Sequence, residues 1–233
     1  AIIVVTNGFK EILGNNGVDT KKISIVMNGV DLTKFKHKNK PLNLEEKYNL
    51  KGKKVLGYIG THGETQGLKT ILHSAAELKG NENIIFLFIG QGSRKKELIE
   101  FKENNKLDNV IFLDNMPRNE IIDYWALIDI SLIILKKREV FRTVIPSKIF
   151  ESIAMHKPII LGVEGDAKEI VEKNKIGVSF EPENFGDLTS NILNLTKDEV
   201  KLNLYKINTE KCKLKYDRAT QACKMLKILE QIK

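Results

Sequence analysis

The chain has 233 residues, 42% of them hydrophobic, with two cysteines and a formal net charge of +8. That is enough apolar material for one large core or two small ones, while no apolar run approaches the roughly 20 residues of a bilayer-spanning helix. Cys212 and Cys223 lie in a charged helical stretch with neither a CxxC nor a histidine at ligand spacing, which argues against a disulfide scaffold or zinc site and for a reducing cytoplasm.

The lysines are spread thinly through the surface stretches and are not interleaved with aromatics, so nucleic acid is not the expected partner. A weaker use of the charge is attraction to an anionic membrane surface. The chain starts at Ala1 inside a strand-like run without Met or leader, which reads as a piece of something longer. Ile2–Val5, Phe9–Leu13 and Ile23–Val26 predict strand, helix and strand, followed by a turn at Asn28-Gly29-Val30-Asp31. Residues 31–45, with the Lys- and Asn-rich Lys34–Lys40, read as a linker.

From there strand patterns at Val55–Ile59, Ile84–Ile89, Val110–Leu113, Ile130–Leu135, Pro158–Leu161 and Gly177–Phe180 alternate with helix patterns. The helices are Leu68–Leu78, Arg94–Asn104, Arg118–Ile128, Ser147–Met155 and Lys168–Lys173. Such alternation predicts an α/β, Rossmann-like, doubly wound parallel sheet of about six strands over residues 46–195, with right-handed crossovers. The pattern is helical from Leu188 to Lys233, so residues 196–233 are expected as carboxyl-terminal helices.

Ligands of such sheets sit at the carboxyl ends of strands, which points to the loops after Ile59, Ile89, Leu113 and Leu135. Two are glycine-rich: Gly57-Tyr58-Ile59-Gly60-Thr61-His62-Gly63, leading to Gly67, and Gly90-Gln91-Gly92-Ser93. Turns in any α/β protein favour glycine, so neither loop identifies a site alone. Pro146-Ser147-Lys148-Ile149-Phe150-Glu151 adds to them. Proline in the first helical turn, unpaired N–H groups and Lys148 suit a diphosphate, and Glu151, three residues on, suits a ribose diol on the same face. Together they point to a nucleotide diphosphate.

A nicotinamide enzyme is the alternative from another class, since Gly90-x-Gly92 opens a helix and Asp114 follows the next strand. Its third small position is Lys95, and the first turn of the sheet lacks GxGxxG. No DxD, HExxH or GxSxG is present, so neither a metal nor a cofactor is expected. Of the histidines 37, 62, 73 and 156, His62 lies in the first glycine loop and is a candidate for contact with phosphate or sugar. His73 is expected on an exposed or boundary helix face, and Tyr124 and Trp125 in the core.

These residues resemble the carboxyl-terminal half of family 4 GT-B glycosyltransferases, especially bacterial enzymes of capsule, O-antigen and related surface polysaccharides. The similarity covers nearly the whole chain: Asn28-Gly29-Val30-Asp31-x-x-x-Phe35, Tyr58 to Gly63 with Gly67-Leu68, Phe88 to Gly92, Asn109 to Leu113, Pro146 to Glu151, and Lys157 to Ile160. Thr61-His62-Gly63 and Pro146-Ser147-Lys148 look like the subgroup that includes N-acetylfucosaminyl transferases. The resemblance implies a nucleotide diphosphate sugar donor, most often UDP-linked, and a metal-independent, retaining transfer to a glycan or lipid-linked acceptor.

It also implies roles. Gly60, Thr61, His62 and Gly63, with Pro146, Ser147 and Lys148, would hold the diphosphate, Lys148 also stabilising the leaving group. Glu151 would bind ribose, Asp114-Asn115-Met116-Pro117 the base edge, and Gly90, Gln91 and Gly92 would line the cleft. Residues 1–30 would be the last part of an amino-terminal acceptor domain or the connection to it. Without that domain the chain would bind nucleotide but transfer little, and the whole protein would be cytoplasmic, working at the inner membrane face if its acceptor is lipid-linked. An epimerase or a non-catalytic nucleotide-sugar module are the alternatives within the fold. Relatives often carry Arg and Lys where this chain has Thr61 and Gln66, Glu where it has Thr143, and Gly where it has His156; Arg142 or Glu139 could compensate for Thr143.

Overall fold

The computed structural model describes residues 1–117 and 119–231. Arg118, the expected start of one helix, and Ile232 and Lys233 at the expected helical end lie outside them. The amino-terminal segment is β1 (Ile2–Val4), α1 (Asn7–Asn15) and β2 (Ile23–Ile25). Thr6 caps α1 by accepting from the Phe9 N–H, and β1 and β2 pair in parallel as a separate two-stranded sheet.

After α2 (Leu42–Lys47) come β3 (Lys54–Ile59), α3 (Lys69–Glu77), β4 (Ile84–Ile89), α4 (Lys95–Asn104), β5 (Val110–Leu113) and α5 (Ile121–Leu127). β6 (Ile130–Ile134), α6 (Lys148–Ala154), β7 (Ile159–Gly162), α7 (Asp166–Lys173) and β8 (Gly177–Ser179) complete the repeat. The carboxyl-terminal helices are α8 (Phe185–Lys197), α9 (Glu199–Cys212) and α10 (Arg218–Glu230). All six strands of the large sheet are parallel, in the order β5-β4-β3-β6-β7-β8. The chain builds outward from β3 to β5, then returns to β6 and builds outward to β8. The reversal of direction lies between β3 and β6.

Both faces of the sheet are covered, so its strands are apolar on both sides. Leu56, Tyr58, Phe86, Phe88, Ile130 and Leu132 face α3, α4 and α8 through Ile71, Leu72, Leu98, Leu188 and Ile192. Alternate residues face the other way: Val55, Leu87 and Ile89 meet Trp125 and Leu127 of α5, while Ile133, Ile159 and Leu161 meet Ile149, Phe150 and Ile153 of α6. Each such side chain contributes about 1.5–3 kcal/mol by burial. Tyr124 and Trp125 are buried and His73 is exposed, as expected.

Three boundaries differ from the sequence reading. The first residues of α2 fall inside the expected linker; the helix has only six residues, too few for a periodic signal, and holds because Leu44 packs on the cluster containing Leu50. The helical tail is interrupted twice. Asp198 ends α8 and caps α9 by accepting from the Lys201 N–H at 2.9 Å, and a 3-10 turn at Lys213–Tyr216 precedes α10. The division at 195/196 therefore cuts α8 near its end.

The linker runs along the amino ends of the strands, opposite the loops at their carboxyl ends. Lys40 Nζ donates to Asp129 at 2.7 Å, and Asp129 also accepts from the Val55 N–H. His37 stacks on His156 with ring centroids 4.8 Å apart, and His37 Nδ1 lies 3.2 Å from the Met155 carbonyl oxygen. His156 takes the left-handed conformation, φ 54°, that its position after α6 requires. Burial first, then His37 and Lys213, push its pKa down to about 4; Glu210 opposes and Lys157 adds to the shift.

Because the folded value lies below the ordinary 6.5, the unfolded chain takes up this proton first. Stability is complete above that value and is lost as the pH falls towards 4. A His156→Asn variant keeps a residue tolerant of positive φ and removes this part of the loss. Urea unfolding midpoints from pH 7 to about 4 check it; parallel profiles for the two chains would sink the assignment.

Candidate functional site

At the carboxyl edge, Lys148 sits in the crevice between β3 and β6. Lys148 Nζ lies 5.1 Å from the centroid of the Tyr58 ring. It lodges against Gly60, φ 144°, where an added Cβ would come within 2.5 Å of that nitrogen. Glycine at 60 is thus required both by its backbone angle and by the lysine. Burial pulls the Lys148 pKa down and Glu151 pushes it back. Burial raises the Glu151 carboxyl, opposed by Lys148 and by Arg218 from α10. Among the described residues neither side chain has an ion-pair partner within 4.0 Å.

The helix contributes less than its sequence suggests. Pro146 precedes α6 instead of occupying its first turn: its carbonyl accepts from the Ile149 N–H, Ser147 sits at the cap position without a side-chain cap, and the helix proper has seven residues. Two turns carry a small dipole, so Lys148 supplies most of the positive charge. The N–H groups of Ser147 and Lys148 remain without partners among the described residues.

The glycine loops are zipped together. The Gly60 N–H donates to the Ile89 carbonyl, the His62 N–H to Gln91 and the Arg94 N–H to His62, at 2.8, 2.8 and 2.9 Å. Gly90, φ 146°, has no room for a Cβ beside the Gly60 carbonyl, nor has Gly92 beside the His62 backbone. The Gly63 N–H is taken by Gln66 Oε1 at 3.1 Å. Of the expected backbone cradle at Gly60 to Gly63, only the Thr61 N–H lacks a partner among the described residues. Gly90 and Gly92 are glycine because the loops touch, which accounts for them without any ligand.

Lys95, which broke the dinucleotide pattern, is buried and donates to the carbonyls of Gly90 and Leu113 at 2.8 Å each and to Asp114 Oδ1 at 2.6 Å. It closes the ends of β4 and β5. Asp114 also accepts from Gln91 Nε2, and the hydrogen bond from Lys95 holds its carboxyl below the usual range. The acidic residue of the nicotinamide reading is thereby committed within the protein. Asn115 is exposed beyond β5, and Met116 packs against the α5 cluster. With strands about 4.8 Å apart, this loop lies about 10 Å along the edge from the end of β3, the reach of a nucleoside.

His62 does not face the crevice. It is 0% exposed, and its ring lies 5.8 Å from Tyr58, 6.2 Å from Phe88 and 5.9 Å from Phe112 between centroids. Neither ring nitrogen has a hydrogen-bond partner. Burial, then Lys95 and Lys148, push its pKa down to about 4. An unsatisfied buried polar group costs about 1–3 kcal/mol, so this is an expensive place for histidine.

Two features escaped the sequence reading. Glu64 pairs with both Arg94 and Lys136 at the rim, and Glu97 pairs with Arg94 and Lys69; the Lys136-Lys137-Arg138 run after β6 was the available signal. A groove of about 950 Å³ opens between α1 and residues 139–144, with Gly165 and Asp166 at its side. Glu139 and Arg142 line it and lie 3.6 Å apart. Gly8 closes one end, its N–H donating to Asp166 at 2.9 Å.

Residues 41–212 match the family of glycosyl transferases group 1. Over 134 residues the chain is 31% identical to WbjE of Pseudomonas aeruginosa, named as a probable glycosyltransferase, covering 57% of this chain and 33% of that one. Over 143 residues it is 29% identical to TuaH of Bacillus subtilis (strain 168), named for teichuronic acid biosynthesis, covering 60% and 34%. The chain thus spans about a third of the length of the curated relatives it matches. The crystal structure of Anabaena Alr3699/HepE in complex with UDP matches 98% of this chain and 63% of that one, with a TM-score of 0.86 at 18% identity, a likeness of fold. The family match runs from α2 to the end of α9 and takes in every strand of the large sheet, and the chain belongs to the glycosyl transferases group 1 family.

Proposed function

We propose that this chain is the donor-binding half of a GT-B glycosyltransferase of family 4, taking a UDP-linked sugar for a bacterial surface polysaccharide. The observation that carries the reading is Lys148: an ammonium, set into the crevice between β3 and β6 against Gly60, that among the described residues has no anionic partner within 4.0 Å and lies beside a second group in the same condition, Glu151. A diphosphate placed there meets Lys148 and the N–H groups of Ser147, Lys148 and Thr61. Glu151 accepts from the ribose hydroxyls, and the base extends towards Asn115 and Met116. UDP in the HepE complex supports uridine.

The chemistry follows from where charge develops. Breaking the anomeric C–O bond leaves negative charge on the departing diphosphate, and a fixed cation in a crevice with low-dielectric walls stabilises that charge as it forms. The reaction proposed is retaining and metal-independent. The acceptor, a glycan or lipid-linked sugar, belongs to the amino-terminal part of the whole protein, which residues 1–30 adjoin. No helix among the described residues is long and apolar enough to cross a membrane, so contact with the inner membrane face would be peripheral. The N-acetylfucosaminyl subgroup is the proposed specificity class.

Thermal unfolding with UDP, GDP, ADP and NAD, each in EDTA, tests the site. UDP at 100 times its Kd stabilises by about 2.7 kcal/mol, and Glu151→Ala loses the shift; a shift with NAD alone, or with no nucleotide, rejects the reading. In the whole enzyme Lys148→Ala lowers kcat by about 10²–10³, the loss typical of one transition-state charge contact. An unchanged kcat in steady-state assays would remove Lys148 from the mechanism.

A further inference from the structure

His62 is built into the loop nearest Lys148, yet its imidazole is turned away from any ligand into a recess of Tyr58, Phe88 and Phe112. One strand each, β3, β4 and β5, contributes these rings, and the space they leave is apolar. Phenylalanine or leucine would fill it without cost. A neutral imidazole always presents one donor and one acceptor, and both are orphaned here. Its edge-on packing against Phe88 and Phe112, with ring planes at 84° and 77°, supplies weak N–H to ring contact at most.

The backbone of His62 is held by Gln91 and Arg94, so only the side chain is free to change. On either side of that backbone Gly63, next in sequence, and Gly92, packed against it, carry no side chain; a Cβ at Gly92 would meet the His62 backbone and one at Gly63 would meet Gln66. The charged groups nearest the ring, Lys95 from α4 and Lys148 from α6, both disfavour an imidazolium in the recess. A phosphate bound at Lys148 reverses that balance.

We propose that His62 is a donor-responsive positioning residue, stored in the aromatic recess of the free protein and rotated outward to hydrogen-bond the phosphate oxygens of a bound nucleoside diphosphate. This rests on the donor-site reading above and adds a second side-chain state to it. In the free state the ring completes the core beneath the loop. In the bound state its N–H adds a third donor type beside the ammonium and the helix-start amides, in a loop whose own amides are mostly used internally. Leaving the recess also removes the burial that suppresses protonation, so the bound ring can carry charge.

The experiment is a UDP titration of the chain with ¹⁵N-labelled histidine, beside calorimetry on His62→Phe and His62→Gln. In the free chain the ring nitrogens report a neutral imidazole, and UDP moves them to hydrogen-bonded or protonated shifts. His62→Phe melts about 2–4 °C higher and binds UDP at least about tenfold more weakly, near 1.4 kcal/mol. His62→Gln, which keeps a donor and an acceptor, recovers most of the affinity. Wild-type binding with unmoved ring resonances, or His62→Phe binding as tightly as wild type, overturns this proposal and leaves the donor site standing. No UDP binding by the wild-type chain overturns both.

Discussion

β3 and β6 pair only at Leu56 with Ile130 and Gly57 with Ser131, whereas β3 pairs with β4 over all six of its residues. A sheet built outward in both directions from its middle has no crossover to cover the junction, and here the central strands separate beyond Gly57, before β3 reaches its end at Ile59. The resulting crevice opens at the carboxyl edge, where strand order reverses and ligands of open α/β sheets bind. Gly57 belongs to the same constraint: Ile128, just before β6, fills the space where its Cβ would stand. The strands come close at the bottom and diverge at the top, and Lys148 occupies the opening.

Within this frame the loops differ in kind. Gly90, Gly92 and Lys95 bind the ends of β4 and β5 to one another and to the Gly60–Gly63 loop, so that half of the edge is satisfied internally. The β6 side is not. There Ser147 and Lys148 begin a short helix with amides that are uncommitted among the described residues, and two half-buried charges, Lys148 and Glu151, have no ion-pair partner among them. Burying charge without a partner is costly, and the proposed donor, with an anion and a diol, would supply partners for both Lys148 and Glu151. The rigid half of the edge holds the geometry, and the unsatisfied half is where the proposed donor would bind.

The sheet was legible because two-sided burial leaves a coarse mark: Ile84 to Ile89 is six apolar residues in a row, and all six are buried. That Lys148 and Glu151 share a face was legible for a similar reason, since residues three apart on a helix lie together whatever surrounds it. Other residues were not. Lys95 looked like a defect in a motif because a chain cannot reveal that a lysine will cap two strands. His62 looked like a loop histidine because its burial depends on Tyr58, Phe88 and Phe112 arriving from three strands. α2 was invisible at six residues, and Pro146 was read one or two residues too far into its helix because helix starts are set by local hydrogen bonds. Periodicity reports which way side chains face; it does not report what long polar side chains reach.

Seven residues long, α6 is held at both ends by parts of the chain distant in sequence. Its amino end presents Lys148 and Glu151 to the crevice. Its carboxyl end is gripped by the linker, where His37 meets both His156 and the Met155 carbonyl. Along its side Phe150 lies 5.4 Å from buried Tyr216, whose hydroxyl accepts from Asn174 of α7. The neighbouring Arg218 acts on the Glu151 carboxyl, while its N–H donates to Val30 and the Tyr216 carbonyl accepts from Val30. The crossover, the linker and the tail therefore converge on one short helix, with the tail bonded to the crossover at Val30. A rigid element of two turns transmits displacement instead of absorbing it. Residues 1–30 also reach the body of the fold through Gly8 and Asp166, so the placement of Lys148 and Glu151 is shared between α6's own packing and these distant parts of the chain.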